Sequence, residues 1–228
     1  MALIAFLMTL LEEYLLTIKG QVFQYLLQSN GPGGLQLTTI AFYVVFSMLL
    51  AGSAAILTVY LAPQAAGSGI PELIGFLNGV ATNEKYFKPL VFIVKAIGVT
   101  LAVAGTLIVG REGPLAHIGA GVATFVLFMP LKYLEQFRYE TKRREFIAAG
   151  ISAGVSVAFG APMGGALFAY EISSPSTFWT FKLLWRNFFC SSIATFFLAV
   201  FVAIYRQEPL NLTSSSVLKF GIVAPSPD

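Results

Sequence analysis

Long stretches without a charged side chain dominate the pattern of this sequence. No Asp, Glu, Lys or Arg occurs between Lys19 and Glu72. Four further uncharged runs follow, at Ala96–Gly110, Gly113–Leu131, Phe146–Tyr170 and Asn187–Tyr205. A helix needs about 20 apolar residues to cross the hydrocarbon core of a bilayer, and three of these four runs reach that length once flanking residues are counted. The pattern predicts an integral membrane protein that crosses the bilayer several times.

Glycine and proline divide the chain into segments. Residues 2–28 are predicted to form a helix that ends at the Ser29–Gly34 turn, and residues 36–62 to form one long apolar helix. Later segments are shorter, with breaks at Gly67–Pro71, Gly110–Pro114 and Gly160–Pro162. Backbone polar groups released at membrane depth are tolerated only where they line protein or a wet cavity. One such break is typical of an ordinary kink, but three of related form predict a binding site near the middle of the bilayer.

Composition supports the membrane assignment. The chain is 57% hydrophobic and 11% charged, with a mean hydropathy of +0.78, which excludes an ordinary soluble domain. The net charge of +3 does not indicate a nucleic-acid partner, because the basic residues are scattered between apolar runs. They cluster only in the 132–145 segment, which we predict to be a cytoplasmic loop, together with the 84–88 loop.

The ends of the chain give weaker signals. Residues 1–205 are predicted to form one membrane domain, and residues 206–228 a polar loop or frayed end. The first residues lack the basic start and the small-residue cleavage site of a signal peptide. Asn211-Leu-Thr213 fits a glycosylation pattern that often arises by chance. Cys190, the single cysteine, is expected to be a small buried hydrophobe.

Three short motifs share one design, in which glycines precede a proline and then a helix. They are Gly67-Ser-Gly-Ile-Pro71, Gly110-Arg-Glu-Gly-Pro114 and Gly160-Ala-Pro-Met-Gly-Gly165. Proline suits the first turn of a helix, where its missing N–H has no cost. A helix N-terminus carries free N–H donors and an effective charge of roughly +0.5. Converging N-termini therefore predict an anion site of moderate affinity, as conduction requires.

These motifs, in this order and spacing, resemble the signature segments of the CLC chloride channel and transporter family. The intervening stretches PELIGFLNGV and FIAAGISAGVSVAFGAP are similar too, so the resemblance covers residues 36 to 205. It implies an all-α membrane fold with broken, re-entrant helices. It also implies that this chain carries the first of two inverted repeats, as a fragment or as a half-length protein. The implied activity is chloride transport gated by voltage or pH.

The resemblance assigns roles to individual residues. Ser68 would offer its hydroxyl to chloride, with the amides of Gly69, Ile70 and Gly113 nearby, and serine at this position goes with chloride rather than nitrate. Glu112 matches the gating glutamate, which blocks the pathway while charged. The residue itself supports this role, because an ionisable group between apolar segments is expensive and by default a functional candidate. The alternative is an ion pair with Arg111.

One departure bears on the type of transport. Glu171 matches the first of two acidic residues found in proton-coupled members, but Ile172 occupies the proton-relay position and cannot carry a proton. This favours a passive channel. The flanking SPSTFW and LLWRNFFCSS stretches resemble the intracellular, exchanger-rich branch, so a chloride/proton antiporter is the alternative. A non-conducting half-length subunit is a third interpretation.

Other polar residues complete the hypothesis. Lys95 and Arg111 are expected to add positive potential along the pathway, although Lys95 could instead reach an interface. His117 suits helix packing or a hydrogen bond to backbone better than proton transfer. No enzymatic constellation, cofactor or metal site is expected. The expected partners are chloride, membrane lipid and, by the resemblance, a second copy in a homodimer. The sequence does not distinguish the plasma membrane from an endosomal, lysosomal or vacuolar one.

Overall fold

The computed structural model describes residues 1–29, 36–80, 84–130, 135–173 and 180–207. Within these ranges the chain forms helices, turns and short connections without a β-strand, which confirms the predicted all-α class. The helices are α1 (Ala2–Ser29), α2 (Gln36–Leu61), α3 (Ile70–Leu77), α4 (Pro89–Ala104), α5 (Glu112–Leu127), α6 (Glu140–Phe159), α7 (Pro162–Ser173) and α8 (Phe181–Arg206). Short 3-10 turns occupy Pro63–Ala65 and Glu84–Phe87.

The two predicted N-terminal helices are confirmed to within a residue at each end, as α1 and α2. Two helices of the described chain are long and apolar enough to cross a membrane, at Leu37–Leu61 and Phe181–Arg206. At 1.5 Å per residue, each is about 38 Å long, which exceeds the roughly 30 Å of the hydrocarbon core. Much of the side-chain surface of α2 is exposed and apolar, so it suits contact with lipid or with further protein.

All three predicted breaks separate helices. Pro71 stands in the first turn of α3, and Pro162 is the first residue of α7. Helix α6 ends at Phe159 and is capped by Gly160, whose positive φ of 66° is typical of a C-terminal cap. The resulting segments are short: α3 has 8 residues, and α4 and α5 have 16 each. Such lengths place helix ends inside the fold, where they can contact one another.

Helix α6 is the centre of the fold, because its residues from Ile147 to Ala158 are buried on nearly every side. Its closest partner is α5. Gly119 of α5 and Gly150 of α6 face each other so closely that a Cβ on either would collide with the carbonyl oxygen of the other. Small residues at a crossing allow this backbone contact, as is common in membrane helices. The crossing holds α5, and hence its N-terminus, in a fixed place.

The prediction of a loop over residues 132–145 is wrong for residues 140–145. Residues 140–145 form the first turns of α6, and their charges pair along the helix, Lys142 with Glu145 at 2.7 Å and Arg143 with Glu140 at 3.6 Å. A mixed-charge stretch is typical of a solvated helix as well as of a loop, so composition alone did not distinguish the two.

Two further predictions have different outcomes. Lys132 and the glycosylation tripeptide lie outside the described residues. Cys190 is half-buried in α8 rather than fully buried.

Candidate anion site

The N-terminus of α3 is built by the turn that precedes it. Gly69 caps the helix with φ 81° and ψ −1°, a left-handed conformation that favours glycine. A side chain at Gly69 would also collide with the ring of His117 and lie 3.0 Å from Lys95 Nζ. This glycine therefore lets a helix end approach two buried polar side chains.

The N-terminus of α5 meets this turn directly. A Cβ built on Gly113 would lie 2.6 Å from the Cβ of Ser68 and 3.3 Å from Cδ1 of Ile70. Gly113 is the second residue of α5, so its amide belongs to the first turn, where N–H groups lack partners within the helix. Two motifs that are distant in the sequence are thus in contact. The structure brings Ser68, Gly69, Ile70 and Gly113 together.

The hydroxyl of Ser68 is half-buried at this contact. Its oxygen accepts a weak hydrogen bond from the Ile70 amide at 3.3 Å. No described residue receives a hydrogen bond from the hydroxyl proton, which leaves that proton for an acceptor in the cleft. A hydroxyl polarised in this way suits an anion.

Lys95 lies beneath the turn and is only 2% exposed. Its ammonium donates a hydrogen bond to the carbonyl of Gly67 at 3.3 Å and lies 2.7 Å from Nδ1 of His117. The side chain therefore does not reach an interface. No carboxylate within the described ranges forms a salt bridge with it, although Glu72, in the first turn of α3, interacts with it electrostatically.

His117 holds the ammonium in place. Its Nε2 lies 3.2 Å from the carbonyl oxygen of Tyr86, which can only accept a hydrogen bond. This contact assigns the proton to Nε2 and leaves the Nδ1 lone pair to accept from Lys95. The ring is 1% exposed and packs edge-on against Phe92. The predicted backbone hydrogen bond of His117 is confirmed, and the contact with Lys95 is additional.

Glu112 is the first residue of α5 and is half-buried. Its carboxylate folds back over the preceding turn and lies so close to Gly110 that a Cβ on this glycine would collide with Oε2 of Glu112. The neighbouring Arg111 forms an ion pair with Glu12 of α1. Sequence reasoning missed this partner, although a carboxylate within the apolar first helix was the available signal.

A cleft of about 610 Å³ opens beside these groups. Small side chains of α2 and α4 line much of it, and its wall also includes Gly67, Ser68, Lys95, Gly110 and Pro114. The first two motifs thus share a cavity. The third motif does not join them, since Gly165 packs against Ser152 and Ser156 of α6.

Ile172 lies away from the cleft, beside the opposite end of α3. It is 8% exposed and belongs to an apolar cluster that includes Phe76 and Leu77. Its carbonyl accepts a hydrogen bond from Nδ2 of Asn78, the residue that caps the C-terminus of α3, at 3.3 Å.

Among the residues that the structure describes, no group of three or more His, Cys, Asp or Glu could hold a metal ion.

Comparison with known proteins adds sequence evidence. Residues 50–225 match the protein family described as "Voltage gated chloride channel". The "H(+)/Cl(-) exchange transporter 7" of Homo sapiens is 37% identical over 212 residues, which cover 90% of this chain and 25% of that protein. The "Chloride channel protein D" of Dictyostelium discoideum is 40% identical over 189 residues, which cover 79% of this chain and 18% of that protein. The chain thus spans about a quarter or less of the length of these relatives.

A solved structure shares the fold. The "Crystal Structure of a eukaryotic CLC transporter" superimposes with a TM-score of 0.72 at 22% identity. The match covers 90% of this chain and 40% of the other.

Proposed function

This chain belongs to the voltage-gated chloride channel, or CLC, family, and we propose that it forms one side of a chloride pathway through a membrane, with Glu112 as the gate. The observation that carries the proposal is the contact of Gly113 with Ser68 above the buried ammonium of Lys95. Homodimeric assembly is part of the proposal.

Chloride would rest where the two helix N-termini meet. The first-turn amides of α3 and α5 supply partial positive charge, and Ser68 supplies a hydroxyl donor. Lys95 adds a full charge one layer deeper, behind the turn, where it attracts the anion without binding it directly. Amides and a hydroxyl in contact, with the ammonium set back, give an affinity that allows the ion to leave.

Glu112 is suited to act as the gate because its carboxylate stands at the N-terminus of α5. The helix end attracts this carboxylate for the same reason that it attracts chloride. In its charged form the side chain competes for the anion position and closes the pathway. Protonation removes that competition, so the pathway opens as the pH falls.

Passive conduction is the form of transport that Ile172 favours. Its side chain is buried among apolar neighbours at the other end of α3, where proton exchange would need an acid. Chloride/proton exchange is the second candidate, because two proteins named "H(+)/Cl(-) exchange transporter 7", from mouse and human, are among the relatives of this chain.

The test is chloride flux in liposomes that contain the full-length protein. Glu112→Gln, which mimics the protonated gate, is expected to conduct at all pH values, whereas the parent conducts mainly in acid. Glu140→Gln, on an exposed carboxylate at the start of α6, is the matched control and should keep the parent profile. An unchanged pH profile in the Glu112→Gln variant would show that Glu112 is not the gate. Proton movement driven uphill by a chloride gradient would select exchange over passive conduction.

A further inference from the structure

Helix α1 contacts the linker between α4 and α5 at two points. We define this linker as residues 105–111, which lead directly into Glu112. At its far end, Arg111 forms an ion pair with Glu12 of α1, and both side chains are largely buried. A buried pair of this kind fixes geometry, because neither charge can turn away without losing its partner.

The near end of the linker is held by Lys19, which is 3% exposed. Its ammonium lies 2.8 Å from Oγ of Ser47 and 3.5 Å from Oγ1 of Thr106, and stands 3.8 Å above the ring of Tyr43. Thr106 has a positive φ of 59°, which is uncommon for a β-branched residue and needs support from its surroundings. Lys19 is part of that support.

The spacing of the two contacts is regular. Glu12 and Lys19 are seven positions apart, which is about two helical turns, so they lie on the same face of α1 roughly 10 Å apart. Between the two anchored ends, Leu107, Ile108 and Val109 are exposed. Both ends of the linker contact the same face of α1, and the near end also contacts α2, where Oγ of Ser47 lies 3.4 Å from Oγ1 of Thr106.

We propose that α1 is a clamp in which Glu12 and Lys19 are positioning residues for the gate. This proposal rests on the proposed gating function of Glu112. Glu12 draws the guanidinium of Arg111 towards α1 and keeps it from neutralising the adjacent Glu112 carboxylate. Lys19 contacts the start of the linker, so that Gly113, the residue after Glu112, meets the α3 turn at a fixed position.

The charged groups around the clamp are Glu12, Glu13 and Lys19 on α1, Arg111 and Glu112 at the end of the linker, and Arg206 on α8, which pairs with Glu13 at 2.8 Å. Substitutions of Glu12 and of Arg111, the two members of one ion pair, are expected to shift the pH of half-maximal flux in opposite directions. Removing the charge of Glu12 releases Arg111 towards Glu112, favours the ionised gate and lowers the pH of half-maximal flux. Removing the charge of Arg111 takes a cation away from Glu112 and raises that pH.

The first experiment compares pH profiles of chloride flux in liposomes that contain the full-length protein. Glu12→Gln should shift the midpoint to lower pH and Arg111→Gln to higher pH, each by roughly half a pH unit. Glu13→Gln is the matched control, since it is the same substitution one residue away on a carboxylate that pairs with α8. Neither shift should appear in a Glu112→Gln background. Shifts of the same sign in both variants, or a shift in Glu13→Gln equal to that in Glu12→Gln, would overturn the clamp.

The second experiment does not depend on the gate. Spin labels at Leu11 and Ile108, both exposed, report the distance between α1 and the linker by double electron–electron resonance, in a background where Cys190 and every other cysteine of the full-length protein are replaced by serine. The distribution should be narrow in the parent and in Glu13→Gln, and broader in Glu12→Gln and in Lys19→Met. Unchanged distributions in both of the latter variants would contradict the clamp, even if Glu112 proves not to be the gate.

Discussion

Gly113 touches Ser68 across the meeting point of two helix N-termini, so closely that a Cβ on the glycine would lie 2.6 Å from that of the serine. The relationship joins the residue after the proposed gate to the residue that would offer chloride its hydroxyl. Any group larger than hydrogen at position 113 must push one helix end away from the other.

Gly113→Ala is accordingly expected to reduce chloride flux and to lower stability by about 1–3 kcal/mol, because the added methyl overpacks a buried contact. Gly52→Ala is the matched control: it lies within α2 with nothing within 4 Å of the added Cβ, and should gain up to about 1 kcal/mol of helix stability. Flux assays and thermal unfolding in detergent measure both effects. Equal behaviour of the two variants would contradict the contact.

Lys95→Met should weaken the apparent affinity for chloride, since it removes a buried charge close to the α3 turn. A loss of about 1–2 kcal/mol, or roughly five- to thirty-fold, is expected from the concentration dependence of flux.

His117→Gln provides a comparison for the lysine variant. Glutamine keeps one acceptor for Lys95 and one donor for the Tyr86 carbonyl, so it should preserve most of the affinity, whereas His117→Leu should lose more. If His117→Leu left the affinity unchanged, the histidine would have no part in holding the ammonium.

Ile172→Glu is expected to lower stability by about 1–3 kcal/mol, because it introduces a carboxyl group into the apolar cluster with Phe76 and Leu77. Ile172→Leu, which conserves volume, should cost less than about 1.5 kcal/mol. Thermal unfolding in detergent compares the two. If the glutamate variant were as stable as the leucine variant, the side chain at position 172 would be exposed to water rather than buried in the apolar cluster.

Asn187 of α8 is fully buried, and neither polar atom of its side chain has a hydrogen-bond partner among the described residues. Replacing an unpaired buried amide with an apolar group of similar shape removes a desolvation penalty. Asn187→Leu should therefore leave stability unchanged or raise it by about 1 kcal/mol, while Asn187→Ala should lower it by leaving a cavity. A clear loss in the leucine variant would indicate a partner for the amide outside the described chain.

The sequence was sufficient where structure is decided locally. Apolar stretches bounded by glycine and proline predicted α1 and α2, and the prolines of the three motifs marked helix starts, because these signals act on the backbone next to them. The 132–145 segment shows the limit. Arg143 there lies 5.1 to 5.6 Å from the ring centroids of Phe76, Phe87 and Phe128, so the segment is a packed helix start rather than a solvated loop.

The contacts that make the candidate site depend on packing between distant segments. The motifs predicted which helix ends would attract an anion, but the meeting of Gly113 with Ser68 follows from the α5–α6 crossing that fixes α5. The pairing of Lys95 with His117 likewise requires α4 and α5 to lie side by side with matching register. The ion pair between Glu12 and Arg111 joins the first helix to a turn far along the chain. None of these distances has a local signal.

The backbone contact between Gly119 and Gly150 has a mechanical consequence. Because the two backbones touch here without intervening side chains, sliding or rotating α5 against α6 would cause a steric clash between the two main chains. Movement near the start of α5 would then be confined to torsions about side-chain bonds, such as those of Glu112. Such torsions take picoseconds to nanoseconds, far less than the microseconds to milliseconds of a collective domain motion.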